Sequence, residues 1–281
     1  MSETNAQRNY KDTVFRMLFR EKENLLSLYN ALNQTSYTDV DSMEITTLEN
    51  AVYTNYKNDI SFVFDFELLL YEHQSRFNPN MPLRNLIYVT SMLQDRTKGE
   101  DLYSRSIVRI PAPKFVVFYN GIDSQPEQRV LRLSDAFEKK QDHPALELTV
   151  IVYNVNLGHS QELLEACQLL KEYAQYVQRV RVFAKGMPFP EAVEKAVDFC
   201  IKNEILSDFL SKNRAEAIAM SIFEYDEEKH MRSVHEEGLA EGEKRVAQLL
   251  QRLIDAGKME EMKRALSDRE YREKLYREYD Q

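Results

Sequence analysis

Two short apolar runs constrain the fold more than any other feature of the chain. Residues 114–119 read KFVVFY and residues 147–153 read ELTVIVY. Both are short, bounded by turn signals and rich in β-branched and aromatic residues, which favours strand over helix. Neither alternates polar with apolar positions, so each suits a strand buried on both faces. Such a sheet needs helices on both sides, which is the α/β arrangement. Asn120-Gly121 closes the first run with a turn signal, and Asn154 ends the second.

The flanking sequence supplies the helices. Val14, Phe15, Leu18, Phe19, Leu25, Leu28, Tyr29 and Leu32 recur at helical spacing and predict an amphipathic helix over 10–32. Residues 43–56 read as extended. Pro79 and Pro82 bracket a loop, and a helix is expected over 83–95. Beyond Gly158 only helical patterns occur. The first covers 161–180, with Ser160 as its N-cap and Glu162 in its first turn. A further helical pattern covers 188–235. The spacing predicts a domain over 1–210 and a charged, all-helical C-terminal extension over 211–281. Gly238 and Gly242, four apart in that extension, fit either a solvated helix that tolerates glycine or a close helix–helix contact, including a homodimer contact.

Composition narrows the function classes. The chain has 281 residues, 43% of them hydrophobic, with only 7 glycines and 8 prolines, so a sizeable core is expected and disorder is not. The net charge of −9 argues against a broadly basic surface that wraps DNA, because phosphate contacts need Lys and Arg. It is compatible with an acidic metal centre. No apolar stretch approaches the roughly 18 residues of a membrane helix. The polar start, MSETNAQRNYKD, lacks the apolar core of a signal peptide. A cytoplasmic protein without membrane contact is therefore expected. Cys167 and Cys200 lie in helix-like apolar patterns and read as small buried hydrophobes in a reducing compartment.

Candidate chemistry lies between residues 59 and 74, where the period changes to two. Ile60, Phe62 and Phe64 alternate with Asp59, Ser61 and Val63, and ELLLYEHQ follows. A hairpin with Asp65-Phe66 at its tip pairs Phe64 with Glu67, Ser61 with Leu70 and Asp59 with Glu72. Opposed residues share a face, with Cβ atoms about 4.5–5.5 Å apart. Gln74, two residues beyond Glu72, shares that face. Two carboxylates side by side repel each other, and a bound divalent cation removes the penalty; hard oxygen ligands suit Mg²⁺ or Mn²⁺. The plain alternative is a solvated strand end that binds nothing. Asp-Phe is not a favoured two-residue tip. His73 points to the opposite face and reads as a structural or solvent-facing histidine. His143, His159, His230 and His235 are too scattered to form a metal cluster.

Several stretches, in order, resemble the recombination-promoting nuclease (Rpn) family of bacterial transposase-like proteins, within the PD-(D/E)xK nuclease superfamily. They are KDTVFRMLF at 11–19, KNDISF at 57–62, LYEHQSRFNPNMPLRNLIY at 70–88, IPAPKFVVFYNG at 110–121, LRLSDAF at 131–137, YNVNLGHSQELLEACQLLKEYA at 153–174 and CIKNEILSDFL at 200–210. The resemblance covers nearly the whole chain. It implies a restriction-endonuclease-like fold, a central mixed β-sheet flanked by helices, with an all-helical C-terminal extension. It also implies a Mg²⁺-dependent DNA endonuclease linked to recombination, transposition or mobile-element conflict. Asp59 and Glu72 would be the metal-binding, catalytic acids. Gln74 would stand where the superfamily often has lysine, orienting water through its amide without supplying charge. Asp12 would be an additional acid at the site, or simply an acid near a helix start. Arg76 and Arg84 flank the proline loop as DNA phosphate contacts or as ordinary surface arginines. The non-enzymatic alternative is a catalytically weak, nuclease-derived module that binds DNA or a protein partner.

Overall fold

The structure is a computed structural model that describes residues 14–46 and 59–279, with the backbone alone for 223–232, 234–243, 269–270 and 279. It divides into two compact units, Met1–Glu224 and Tyr225–Gln281. The larger unit is α/β: a mixed six-stranded sheet flanked by helices.

The sheet runs β1 (Glu44–Ile45), β2 (Ile60–Phe64), β3 (Glu67–Gln74), β4 (Ala112–Tyr119), β6 (Thr149–Asn154), β5 (Gln128–Arg132). Strands β1, β2 and β3 pair antiparallel, β3, β4 and β6 pair parallel, and β5 closes the far edge antiparallel to β6. The two apolar runs are thus the central parallel strands β4 and β6. β5 carries no apolar run and was not expected from the pattern. As an exposed edge strand it spends its length on Gln128, Arg129 and Arg132, and edge strands with charged residues resist pairing with other chains.

Side-chain alternation sorts the sheet into two faces. Phe62, Phe64, Leu69, Tyr71 and Phe118 enter one core, built with α1 (Val14–Phe19), α2 (Lys22–Asn33), α4 (Gln161–Ala166), α5 (Gln168–Ala184), α6 (Phe189–Lys202) and α7 (Ser207–Lys212). Leu68, Leu70, Phe115, Val117 and Tyr119 enter the other, against α3 (Met81–Arg96). Beyond these, α8 (Arg214–Asp255), α9 (Met259–Ser267) and α10 (Arg269–Tyr279) form a helical C-terminal region. Gly238 and Gly242 lie within α8. The smaller unit has its own core of Leu249, Leu253, Ala265, Leu275 and Tyr276. Among the described residues no helix is long and apolar enough to cross a membrane.

Three local expectations change. The single helix over 10–32 is two helices as far as the structure describes it. Glu21 takes an extended backbone, and the Asn24 amide donates to Leu18 O at 2.7 Å, capping the end of α1. The helix over 161–180 is also two, broken at Cys167 (φ −123°, ψ 93°). Ser160 does sit at the start of α4, but in a left-handed conformation, and its hydroxyl donates to Glu127 O instead of capping the helix. Both cysteines are buried and free.

Candidate metal centre

The hairpin register fixes this site. Ile60 pairs with Tyr71, Ser61 with Leu70 and Phe64 with Glu67, the pairing expected from the sequence. The tip is Asp65-Phe66, with φ of 48° and 59°. Positive φ at both positions is the two-residue geometry that matches strand twist. Neither residue is glycine, and Tyr37 Oη donates to Asp65 Oδ2 at 2.7 Å to help hold the turn.

Asp59 stands one residue before β2, opposite Glu72. Each acid is tied to the backbone of the other's strand. The Asp59 N–H donates to Glu72 Oε1 at 3.2 Å, and the His73 N–H donates to Asp59 Oδ2 at 2.7 Å. The two carboxyl groups are thereby brought together on the α3 side of the sheet. Glu72 is 3% exposed. Burial, reinforced by the neighbouring Asp59 charge, holds its carboxyl well above the usual range, while the cations of Arg84 and Arg16 pull it back in part.

α3 covers the pair. Arg84 reaches Glu72 Oε2 at 3.5 Å and donates to Tyr88 Oη at 2.7 Å. Its side chain is about two-thirds covered, 32% remaining exposed, so it belongs to the site's wall more than to open surface. Gln74 shares the face of Glu72, and its amide Nε2 lies 2.6 Å from Met81 Sδ. Arg76 is half-buried in the loop after β3. Asp12 lies outside the described residues.

The opposite face of β3 explains His73. It is buried, not solvent-facing; its ring stacks on Phe15, 5.0 Å between centroids, and its Nε2 lies 2.9 Å from Tyr173 Oη. The Asn120 amide donates to the same tyrosine oxygen at 2.9 Å, which leaves the tyrosine proton for a neutral imidazole. Burial, with the nearby Arg181 charge, pushes the His73 pKa down to about 3. Arg181 donates in turn to Asn120 O and, at 2.6 Å, to Asn156 Oδ1. This network ties α5 to the ends of β4 and β6, directly behind the acidic pair. Gly121 is required there, since a Cβ would collide with Ser75 O and the Tyr119 ring.

The donor set suits a hard cation. Asp59 and Glu72 offer carboxylate oxygens, Gln74 an amide, and a positive ion beside them would favour the charged form of the buried Glu72. Among the described residues no group of three His, Cys, Asp or Glu side chains forms a metal cluster, so two acids are what the described chain contributes. Sequence reasoning missed Tyr88 and the part played by α3. The signal available was the helical spacing of Met81, Arg84 and Tyr88 just after the Glu-x-Gln strand. No protein-family model, curated protein or solved structure matches the chain.

Proposed function

We propose that the chain is a Mg²⁺- or Mn²⁺-dependent DNA endonuclease of the PD-(D/E)xK class, with a restriction-endonuclease-like fold and the family role of the Rpn nucleases. The observation that carries this reading is the half-buried Asp59 held against the buried Glu72 across the hairpin, with Gln74 on the same face. Burying Glu72 beside a second acid without use is costly, and a site that needs a divalent cation supplies the use. When bound, the cation would lower the pKa of a water and neutralise charge on the scissile phosphate.

The chain's own residues do the positioning. Asp59 and Glu72 would hold the cation, each oriented by a backbone N–H. The Gln74 amide accepts from and donates to water without contributing charge. Arg84 has donors beyond those spent on Glu72 and Tyr88, and these are available to a phosphate oxygen; Arg76 is a second candidate.

A specific observation also favours the second reading, a catalytically weak module that binds DNA or a protein. Arg84 already partners Glu72, and glutamine replaces the superfamily's lysine. One assay separates the two. Purified protein is incubated with supercoiled plasmid and Mg²⁺. The nuclease reading expects nicking that falls on the order of 10²–10³-fold in both Asp59→Ala and Glu72→Ala. Equal nicking by wild type and both variants would remove the site assignment. No nicking by wild type, with DNA binding retained, would favour the weak module.

A further inference from the structure

Asn85 is the least satisfied buried polar side chain among the described residues. It is 1% exposed, and neither its Oδ1 nor its Nδ2 has a hydrogen-bond partner among the described residues. A buried amide left unpaired is destabilising, and such groups are rare enough in native folds to need a reason.

Its position on α3 supplies one. The sheet-facing stripe of the helix is Met81, Pro82, Asn85, Tyr88, Val89 and Met92. Met81, one turn earlier, touches Gln74. Tyr88, nearly one turn later, touches Arg84, whose guanidinium also meets Glu72. Residues three and four apart share a helix face. Asn85 therefore stands between these contacts, over the Glu72–Gln74 end of β3. An aliphatic residue would pack there at no polar cost, and the rest of the stripe is mostly apolar.

An amide with both ends unpaired has an acceptor oxygen and a donor nitrogen to offer. A hydrated cation beside a phosphate presents the complementary pair: water protons that donate and phosphate oxygens that accept. Mg²⁺ keeps several of its waters when bound. We propose that Asn85 completes the cation site, its Oδ1 accepting from a cation-bound water and its Nδ2 donating to an oxygen of the substrate phosphate. This rests on the nuclease reading above, and it makes Asn85 a specificity and positioning residue held at the expense of stability.

The test uses the full-length chain, Mn²⁺ titrated by calorimetry, and melting in EDTA. Asn85→Leu removes both hydrogen-bonding ends. It is expected to weaken Mn²⁺ binding about tenfold, the lower range for loss of a residue that orients a metal's ligands, and to melt higher than wild type in EDTA. Asn85→Asp keeps the acceptor and loses the donor. It is expected to retain Mn²⁺ affinity but to bind a DNA duplex in Ca²⁺ about tenfold more weakly, as for loss of one hydrogen bond to a charged group. Unchanged Mn²⁺ affinity in Asn85→Leu, or a lower melting temperature in EDTA, would overturn the proposal. If Mn²⁺ binding depends on Asp59 and Glu72 but not on Asn85, this inference alone falls. If wild type binds no Mn²⁺, the nuclease reading falls and takes Asn85 with it.

Discussion

Glu72 and His73 are adjacent on β3 yet answer to opposite layers of the molecule. Burial raises the carboxyl and lowers the imidazole, so both favour their uncharged forms. For His73 the consequence is a pH-dependent stability. Its pKa is about 3 in the fold against 6.5 ordinarily, so the unfolded chain binds the proton first. The contribution is fully present above pH 6.5 and is lost progressively as the pH falls toward 3. One proton gives a slope of up to about 1.4 kcal/mol per pH unit. Urea unfolding between pH 7 and 5, above the range where most carboxylates titrate, should show that loss in wild type and a flatter profile in His73→Gln. Identical profiles would mean the imidazole takes a proton without leaving its place against Phe15 and Tyr173.

At the scale of elements, the ends of the parallel strands tolerate little. Gly121 follows β4 where a side chain would strike the Ser75 carbonyl and the Tyr119 ring. Gly121→Ala is expected to destabilise by roughly 1–3 kcal/mol, as overpacking does, and a drop in urea midpoint without a change in slope would register it. The elements themselves were unevenly legible. The β2–β3 register was readable because strand parity fixes a face: Asp59, Ser61 and Val63 could only oppose Glu72, Leu70 and Leu68. The break between α1 and α2 was not, because the apolar period runs straight through it and only the Asn24 amide, folded back on Leu18 O, marks the stop. The β5 segment, QRVLR, covers only part of Leu131 and so left no apolar pattern to read. Within the site, Asp59, Glu72 and Gln74 follow from alternation. The burial of Asn85 did not, since a polar residue inside an amphipathic helix looks solvated until the helix is set against its sheet.

On the scale of the molecule, the sheet unit and the helical unit each bury a core of their own. A chain ending at Glu224 keeps Ala217 and Met220, the residues of α8 that enter the larger core. It is expected to unfold cooperatively and, on the nuclease reading, to match the full chain in Mn²⁺ affinity; a broad, non-cooperative melt would show that the larger unit cannot stand alone. Within that unit β3 is held by parallel pairing to β4 along its whole length, from Glu67 opposite Ala112 to Gln74 opposite Tyr119. Any change in the number of residues at the Asp65-Phe66 tip must therefore be absorbed by β2. A single inserted codon would turn Asp59 toward the aromatic core and bring Ile60 up against Glu72, whereas a pair would return both acids to one face. In lineages descended from this chain, the length of that hairpin is inherited by parity, and surviving variants should differ from it there by even steps.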